Sequence, residues 1–148
     1  MSVYGLSMIF YVLDTDHLSL YQRSHPQVCD RVRAARQNGI VLKTTVVTVE
    51  EQYAGRLAQI RKSQTPEALI AAYDRLKASL SLFSQLDILE YNRTADEHFR
   101  QFRSQRVRIG TQDLRIASIA IAHGGIILTR NQKDFEQVPG LTIEDWSF

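Results

Sequence analysis

A chain of 148 residues suits one domain with a core of its own, and 44% hydrophobic with 23% charged residues excludes a disordered polyelectrolyte. The formal net charge of +2 excludes a whole-surface polycation, so any nucleic-acid contact must come from a local basic patch. A single cysteine, Cys29, allows no intrachain disulfide and no cysteine metal cluster, no apolar run is long enough to span a bilayer, and Met1–Ser7 lacks the basic start of a signal peptide, so a cytoplasmic location is expected.

The run Met8-Ile9-Phe10-Tyr11-Val12-Leu13 is almost continuously apolar and stops at Asp14-Thr15-Asp16. This predicts a strand buried on both faces of a parallel sheet, with carboxylates at its carboxyl end. Residues 17–24 read as a short helix. Pro26 suits the first turn of a second one to about residue 38, with Val28, Val32 and Ala35 inward and Arg31, Arg33 and Arg36 solvated. After Asn38-Gly39, Ile40-Val41-Leu42 predicts a strand ending near Thr44 and Thr45. Either threonine can cap a helix over about 46–61, which carries Glu50 and Glu51 early. Thr65-Pro66-Glu67 opens a long helix to about residue 84, and the spacing of Leu69, Tyr73, Leu76, Leu80 and Phe83 predicts its buried stripe.

Residues 87–91 predict a third strand, and 94–106 a polar amphipathic helix with Phe99 and Phe102 inward. A loop with Gly110 leads to a helix opened by Asp113 and running through His123. Its apolar residues lie nearly all round, so it should be central. Gly124-Gly125 ends that helix, Ile126-Ile127-Leu128-Thr129 predicts another buried strand, and Leu141 to Trp146 an edge strand. Strands alternating with helices give an α/β fold with a mainly parallel sheet.

Asp14, Glu51, Asp113 and the Asn131–Asp134 segment are far apart in sequence, yet a parallel sheet gathers all of them at one edge. Ligands sit there in open α/β sheets. Each has a plainer role alone. Asp14 and Asp16 can cap the following helix. Glu51 and Asp113 can answer a helix dipole. Asp134 suits an ordinary turn. Their coincidence argues for a cation, because two carboxylates about 4 Å apart repel by roughly 4 kcal/mol at an effective dielectric near 20. Oxygen donors without a His–Cys cluster favour Mg²⁺ or Mn²⁺ over Zn²⁺. The chemistry that follows is phosphodiester hydrolysis.

The residues also resemble a known family. Leu13-Asp14-Thr15, then Thr45-Val46-Val47-Thr48-Val49-Glu50-Glu51 with Gly55, are similar to a PIN domain of the VapC toxin type. So are Asp113-Leu114-Arg115-Ile116-Ala117-Ser118-Ile119-Ala120, Ile127-Leu128-Thr129-Arg130-Asn131-Gln132-Lys133-Asp134-Phe135 and the closing Val138-Pro139-Gly140-Leu141 through Trp146. The resemblance covers nearly the whole chain. It implies a single PIN-like nuclease domain over 1–148, a three-layer sandwich with a mainly parallel central sheet of about five strands flanked by helices. It further implies a Mg²⁺- or Mn²⁺-dependent endoribonuclease leaving 5′-phosphate and 3′-hydroxyl ends, a VapB-type antitoxin partner and a homodimer. By the same resemblance Asp14, Glu51 and Asp113 are the three catalytic, metal-holding acids. The match selects Glu51 over Glu50, which periodicity does not. The fourth acidic position falls on Asn131, with Asp134 as the other candidate fourth ligand. Thr15 and Thr129 are polar supports. Asp16 lies outside the core motif.

Arg115 and Arg130 adjoin the proposed ligands and are candidate RNA contacts; solvated surface arginines are the plainer reading. Single-stranded RNA or loops suit a recessed site better than a duplex. Candidate antitoxin grooves lie along the first two helices and the helix from Thr48 to Arg61. Two rival readings stand beside this one. A haloacid dehalogenase-type phosphatase would use Asp14 as nucleophile and Asp16 as acid/base, but His17-Leu18 breaks its motif. A catalytically weak PIN-like scaffold binding RNA or protein is the reading that Asn131 motivates.

Overall fold

The computed structural model describes residues 9–148; Met8 of the predicted first strand, and Met1–Ser7, lie outside the described residues. Five strands form one sheet. They are β1 (Phe10–Leu13), β2 (Val41–Thr45), β3 (Asp87–Leu89), β4 (Ile126–Leu128) and β5 (Ile143–Glu144), in the order β3-β2-β1-β4-β5. Every pairing is parallel, with Tyr11 opposite Leu42 on one side and Ile126 on the other. The chain therefore steps outward from β1 to β3, then crosses to the other side of β1 for β4. That reversal is a topological switch point, and it leaves a crevice at the carboxyl ends of β1 and β4.

Alternation along the strands builds three layers. Val12 and Ile127 face one side of the sheet, where α3 (Val46–Lys62), α5 (Arg93–Ser104), α6 (Thr111–His123) and the short α7 (Gln132–Phe135) contribute to a core around Leu114, Ile116 and Phe135. Leu13 and Leu128 face the other side. There they pack with Leu18 of α1 (Thr15–Gln22), Val28 and Val32 of α2 (Pro26–Gln37), Phe83 of α4 (Pro66–Ser84) and Trp146. α6 is the central helix that its composition predicts: Leu114 and the unbroken run from Ile116 to Ala120 are buried. Gly124, at φ +78°, closes it in the left-handed conformation that glycine adopts without a Cβ penalty.

Two expectations need correction. The predicted buried stripe of α4 is mostly outside. Leu69, Tyr73 and Leu80 are 39%, 55% and 54% exposed; Phe83 of the predicted stripe is buried, and Ala72 and Ser79 are buried beside it. α4 packs chiefly as a hairpin arm against α3, so the face used is narrow and lined by small residues. The predicted edge strand over 141–146 shortens to Ile143–Glu144, because Trp146 turns back onto the β1–α1 side of the molecule.

Candidate metal and catalytic site

β1 delivers Asp14 to the crevice, and the Asp14 backbone N–H donates to the Leu128 carbonyl at 3.2 Å, tying the ends of β1 and β4 together. The Asp14 side chain is buried, and its Oδ1 accepts from the His17 backbone N–H at 2.7 Å. Asp14 is thus also the N-cap of α1, the role that sequence left open between Asp14 and Asp16. β2 runs directly into α3, whose N-cap is Thr45. Glu51 lies in the second turn, half-buried, and its Oε1 accepts from Thr15 Oγ1 at 2.6 Å. Thr48 Oγ1 stands 3.4 Å from Thr15 Oγ1 and 3.2 Å from Thr45 Oγ1, a hydroxyl chain beneath the pair. Glu50 is exposed and accepts from Gln112 Nε2 at 2.9 Å, so Glu51, not Glu50, faces α1.

Asp113 enters from the first turn of α6. Its carboxyl is pushed up to about 6, first by burial, then by the negative charges of Asp14 and Glu51, with Asp134 adding to them. The charges of these three carboxylates therefore act on Asp113. Asn131 Nδ2 opposes the shift, donating to Asp113 Oδ2 at 3.4 Å and to Asp134 Oδ2 at 2.9 Å. The amide lies between the two carboxylates as a donor. Thr129 is fully buried, and its Oγ1 accepts from the Asn131 backbone N–H at 2.9 Å, fixing the loop after β4.

A second cluster adjoins this one. Asp14, Asp16 and His17 each place a ligand atom within 4.8 Å of the others. Both oxygens of Asp16 and the Nε2 of His17 are already engaged. Asp16 receives a two-point bond from Arg130, Nε to Oδ2 and Nη2 to Oδ1, both at 2.7 Å, and this guanidinium holds its carboxyl below the ordinary range despite burial. His17 is fully buried, and its Nε2 accepts from the Trp146 N–H at 3.1 Å. That leaves Nδ1 as the protonated nitrogen, 3.6 Å from Asp14 Oδ1 and without a hydrogen-bond partner among the described residues. A cation held by this trio would have to break the Arg130 pair. The link between Asp14, Glu51 and Asp113 is electrostatic, the first two raising the carboxyl of the third, and oxygen donors of this kind are compatible with a hard divalent cation; Asn131 caps α7 and Asp134 lies within it.

Neither candidate RNA arginine is free. Arg130 is committed to Asp16, and Arg115 donates to Gln112 Oε1 at 2.8 Å with its guanidinium 5.5 Å from the Phe99 ring centre. The Arg130 pair also removes the acid/base role that a haloacid dehalogenase-type mechanism asks of Asp16. Neither the buried His17 nor the Asp16–Arg130 pair is visible in the sequence. Their partners lie 129 and 114 positions away, and no local pattern announces such a pairing.

Comparison with known proteins adds the family relation. Residues 11–141 match the family described as PIN domain. A tRNA(fMet)-specific endonuclease VapC from Shigella flexneri is 31% identical over 144 residues, covering 95% of this chain and 100% of its own. A Ribonuclease VapC2 from Rickettsia felis is 26% identical over 93% of this chain and 98% of its own. Among solved structures, DNA-bound VapBC from Salmonella typhimurium superposes with a TM-score of 0.74 at 24% identity, covering 94% of this chain and 99% of that one. VapBC2 from Rickettsia felis, bound to a DNA fragment from its promoter, gives 0.72 at 24% identity, covering 93% and 99%.

Proposed function

The chain belongs to the PIN-domain family and, within it, to the VapC ribonucleases, and from this premise we propose a Mg²⁺- or Mn²⁺-dependent endoribonuclease whose working residues are Asp14, Glu51 and Asp113. The observation that carries the site assignment is geometric: the Asp14 N–H ties the carboxyl ends of β1 and β4 together, Thr15 beside it holds Glu51 at 2.6 Å, and Asn131 after β4 reaches Asp113 at 3.4 Å, while burial and the charges of Asp14 and Glu51 raise the Asp113 carboxyl. Such crowding is relieved when a divalent cation is shared.

When bound, the cation supplies charge for the scissile phosphate and a water of lowered pKa. Asp14, rigid through its capping bond, and Asp113, on the central helix, are the holding carboxylates. Glu51, oriented by Thr15, is placed to accept the proton of the attacking water or to hold a metal-bound water. The bond cut leaves 5′-phosphate and 3′-hydroxyl ends. An amide oxygen is a weaker ligand than a carboxylate, so Asp134, on α7, is the better fourth oxygen donor, with Thr129 fixing the Asn131 backbone that precedes it. Arg115 and Arg130 reach phosphate only by giving up the bonds they now make. The substrate is RNA with an exposed single strand or loop, tRNA being the first to try because a relative is described as tRNA(fMet)-specific.

A VapB-type antitoxin is the partner this reading expects, since the similar solved structures are VapBC complexes, and a homodimer is the expected assembly. No described helix is long and apolar enough to cross a membrane.

Incubation of the purified protein with Mn²⁺ and tRNA tests the activity, with Asp14→Asn as control. Cleavage by the wild type alone, stopped by chelation, is the expected result. RNA that stays intact under both proteins leaves a binding scaffold as the function.

A further inference from the structure

We propose that the cleft between α1 and the α3–α4 hairpin is a phosphate-binding track that holds the RNA backbone beside the point of cleavage, an inference that rests on the ribonuclease reading above. The cleft has a volume of about 840 Å³, and Arg23, Arg56 and Arg75 line it from the end of α1 and from both arms of the hairpin. No ion pair among the described residues involves any of the three. Among the described residues Asp16 is the one acid on the wall, and both its oxygens serve Arg130.

Arg56 is not an ordinary solvated arginine. It is half-buried, its Nε donates to the fully buried Ser79 Oγ at 3.0 Å, and its Nη2 lies 3.5 Å from Gln22 Oε1. Burial and the nearby charge of Arg75 both lower its pKa from the usual arginine range, yet the group stays charged at any physiological pH. Two guanidiniums facing one cleft repel unless an anion joins them. A planar, pre-oriented guanidinium recognises phosphate well.

Position favours RNA over other anions. Gln22 on the cleft wall makes a reciprocal amide pair with Gln52, Gln22 Nε2 to Gln52 Oε1 at 2.9 Å and Gln52 Nε2 to Gln22 Oε1 at 2.7 Å. Gln52 follows Glu51 directly, and α1 starts at Thr15, which holds Glu51. The cleft therefore leaves the acidic centre along α1, a helix of 8 residues and so about 12 Å long. A polyanion cut at the acids must run past them, and this wall gives it cations instead of carboxylates.

The test uses the Asp14→Asn protein, so that RNA is bound and not consumed. Its affinity for a single-stranded RNA oligonucleotide is measured by anisotropy over a range of salt. In that background, Arg56→Gln with Arg75→Gln should weaken binding by on the order of tenfold. The slope of log K against log salt should fall by about 0.7 for each phosphate no longer neutralised. The paired lysine variants, which keep both charges, should recover most of the slope, separating charge from a folding defect. Unchanged affinity and slope in the glutamine pair would overturn the proposal. So would RNA binding that holds while binding of a co-expressed protein partner is abolished, which would give the cleft to acidic side chains of that partner. If the wild-type protein cuts RNA while the glutamine pair binds it undiminished, only the track fails. If the wild type neither binds nor cuts RNA, the ribonuclease reading fails with it.

Discussion

At the residue level, substitutions can separate the helix cap that Asp14 makes from the metal-holding role proposed for it. Asparagine caps a helix as well as aspartate does, whereas alanine does not. Asp14→Asn should therefore abolish cleavage and leave the metal-free protein as stable or more so, because it removes repulsion from Asp113 and Glu51. Asp14→Ala should abolish cleavage and also cost about 1 kcal/mol through removal of the cap. Urea unfolding without metal distinguishes the two; full Mg²⁺-dependent activity in either variant would remove Asp14 from the mechanism. Asp113 sets a pH dependence. Its carboxyl titrates near 6 in the folded protein and near 3.8 when unfolded. Between those values the folded state keeps a proton that the unfolded chain releases, so stability without metal falls as pH rises through the window and then levels off. Asp113→Asn should flatten that slope and raise stability at pH 7 by about 1 kcal/mol, after allowing for solvent screening. Sequence pattern alone reaches the three acids as strand-end and helix-start residues. It cannot weigh Glu51 against Glu50, since adjacent helix positions differ only in the direction they face, and the neighbours that fix the direction are Thr15 and Gln112. Nor can it pair Asp16 with Arg130 across the whole fold.

At the level of elements, legibility follows the number of faces an element buries. β1 and α6 are surrounded on all sides, so their near-continuous apolar composition has one reading, and the structure agrees. α4 carries a helical apolar stripe that the fold leaves largely uncovered. Periodicity reports which residues share a face, and only tertiary packing decides whether that face is the buried one. The contrast is measurable. Leu114→Ala, in a fully buried position, should cost about 2–5 kcal/mol. Leu80→Lys should stay within about 0.5 kcal/mol, because the side chain is already 54% exposed. A large loss of stability for Leu80→Lys in thermal unfolding would mean that α4 is covered in solution. The caps are the most readable local signals. Thr45 and Thr65 each accept from a backbone N–H three residues on, which is the reason hydroxyl residues precede both helices.

For the molecule as a whole, the proposed cation site predicts that stability depends on the cation. Anything that binds the folded state alone stabilises it, by about 2.7 kcal/mol at a hundredfold excess over Kd. Mn²⁺ should thus raise the melting temperature, and raise it less as pH drops through about 6, where Asp113 takes up its proton. Asn131→Asp replaces the amide donor between Asp113 and Asp134 with another charge. It should lower stability without metal and tighten Mn²⁺ binding; unchanged calorimetric affinity would exclude residue 131 from the ligand set. The His17 bond to the Trp146 backbone carries a consequence for synthesis. A polypeptide emerges from its amino end, so Asp14, Glu51 and Asp113 are all made before the segment that supports the start of α1. A nascent chain holds its whole complement of acids while the buried imidazole behind Asp14 still awaits the N–H that Trp146 donates to it. A chain stopped before Ile143 should keep the acids yet melt earlier and bind Mn²⁺ less tightly, and equal affinity in the shortened chain would show that Trp146 has no part in shaping the site.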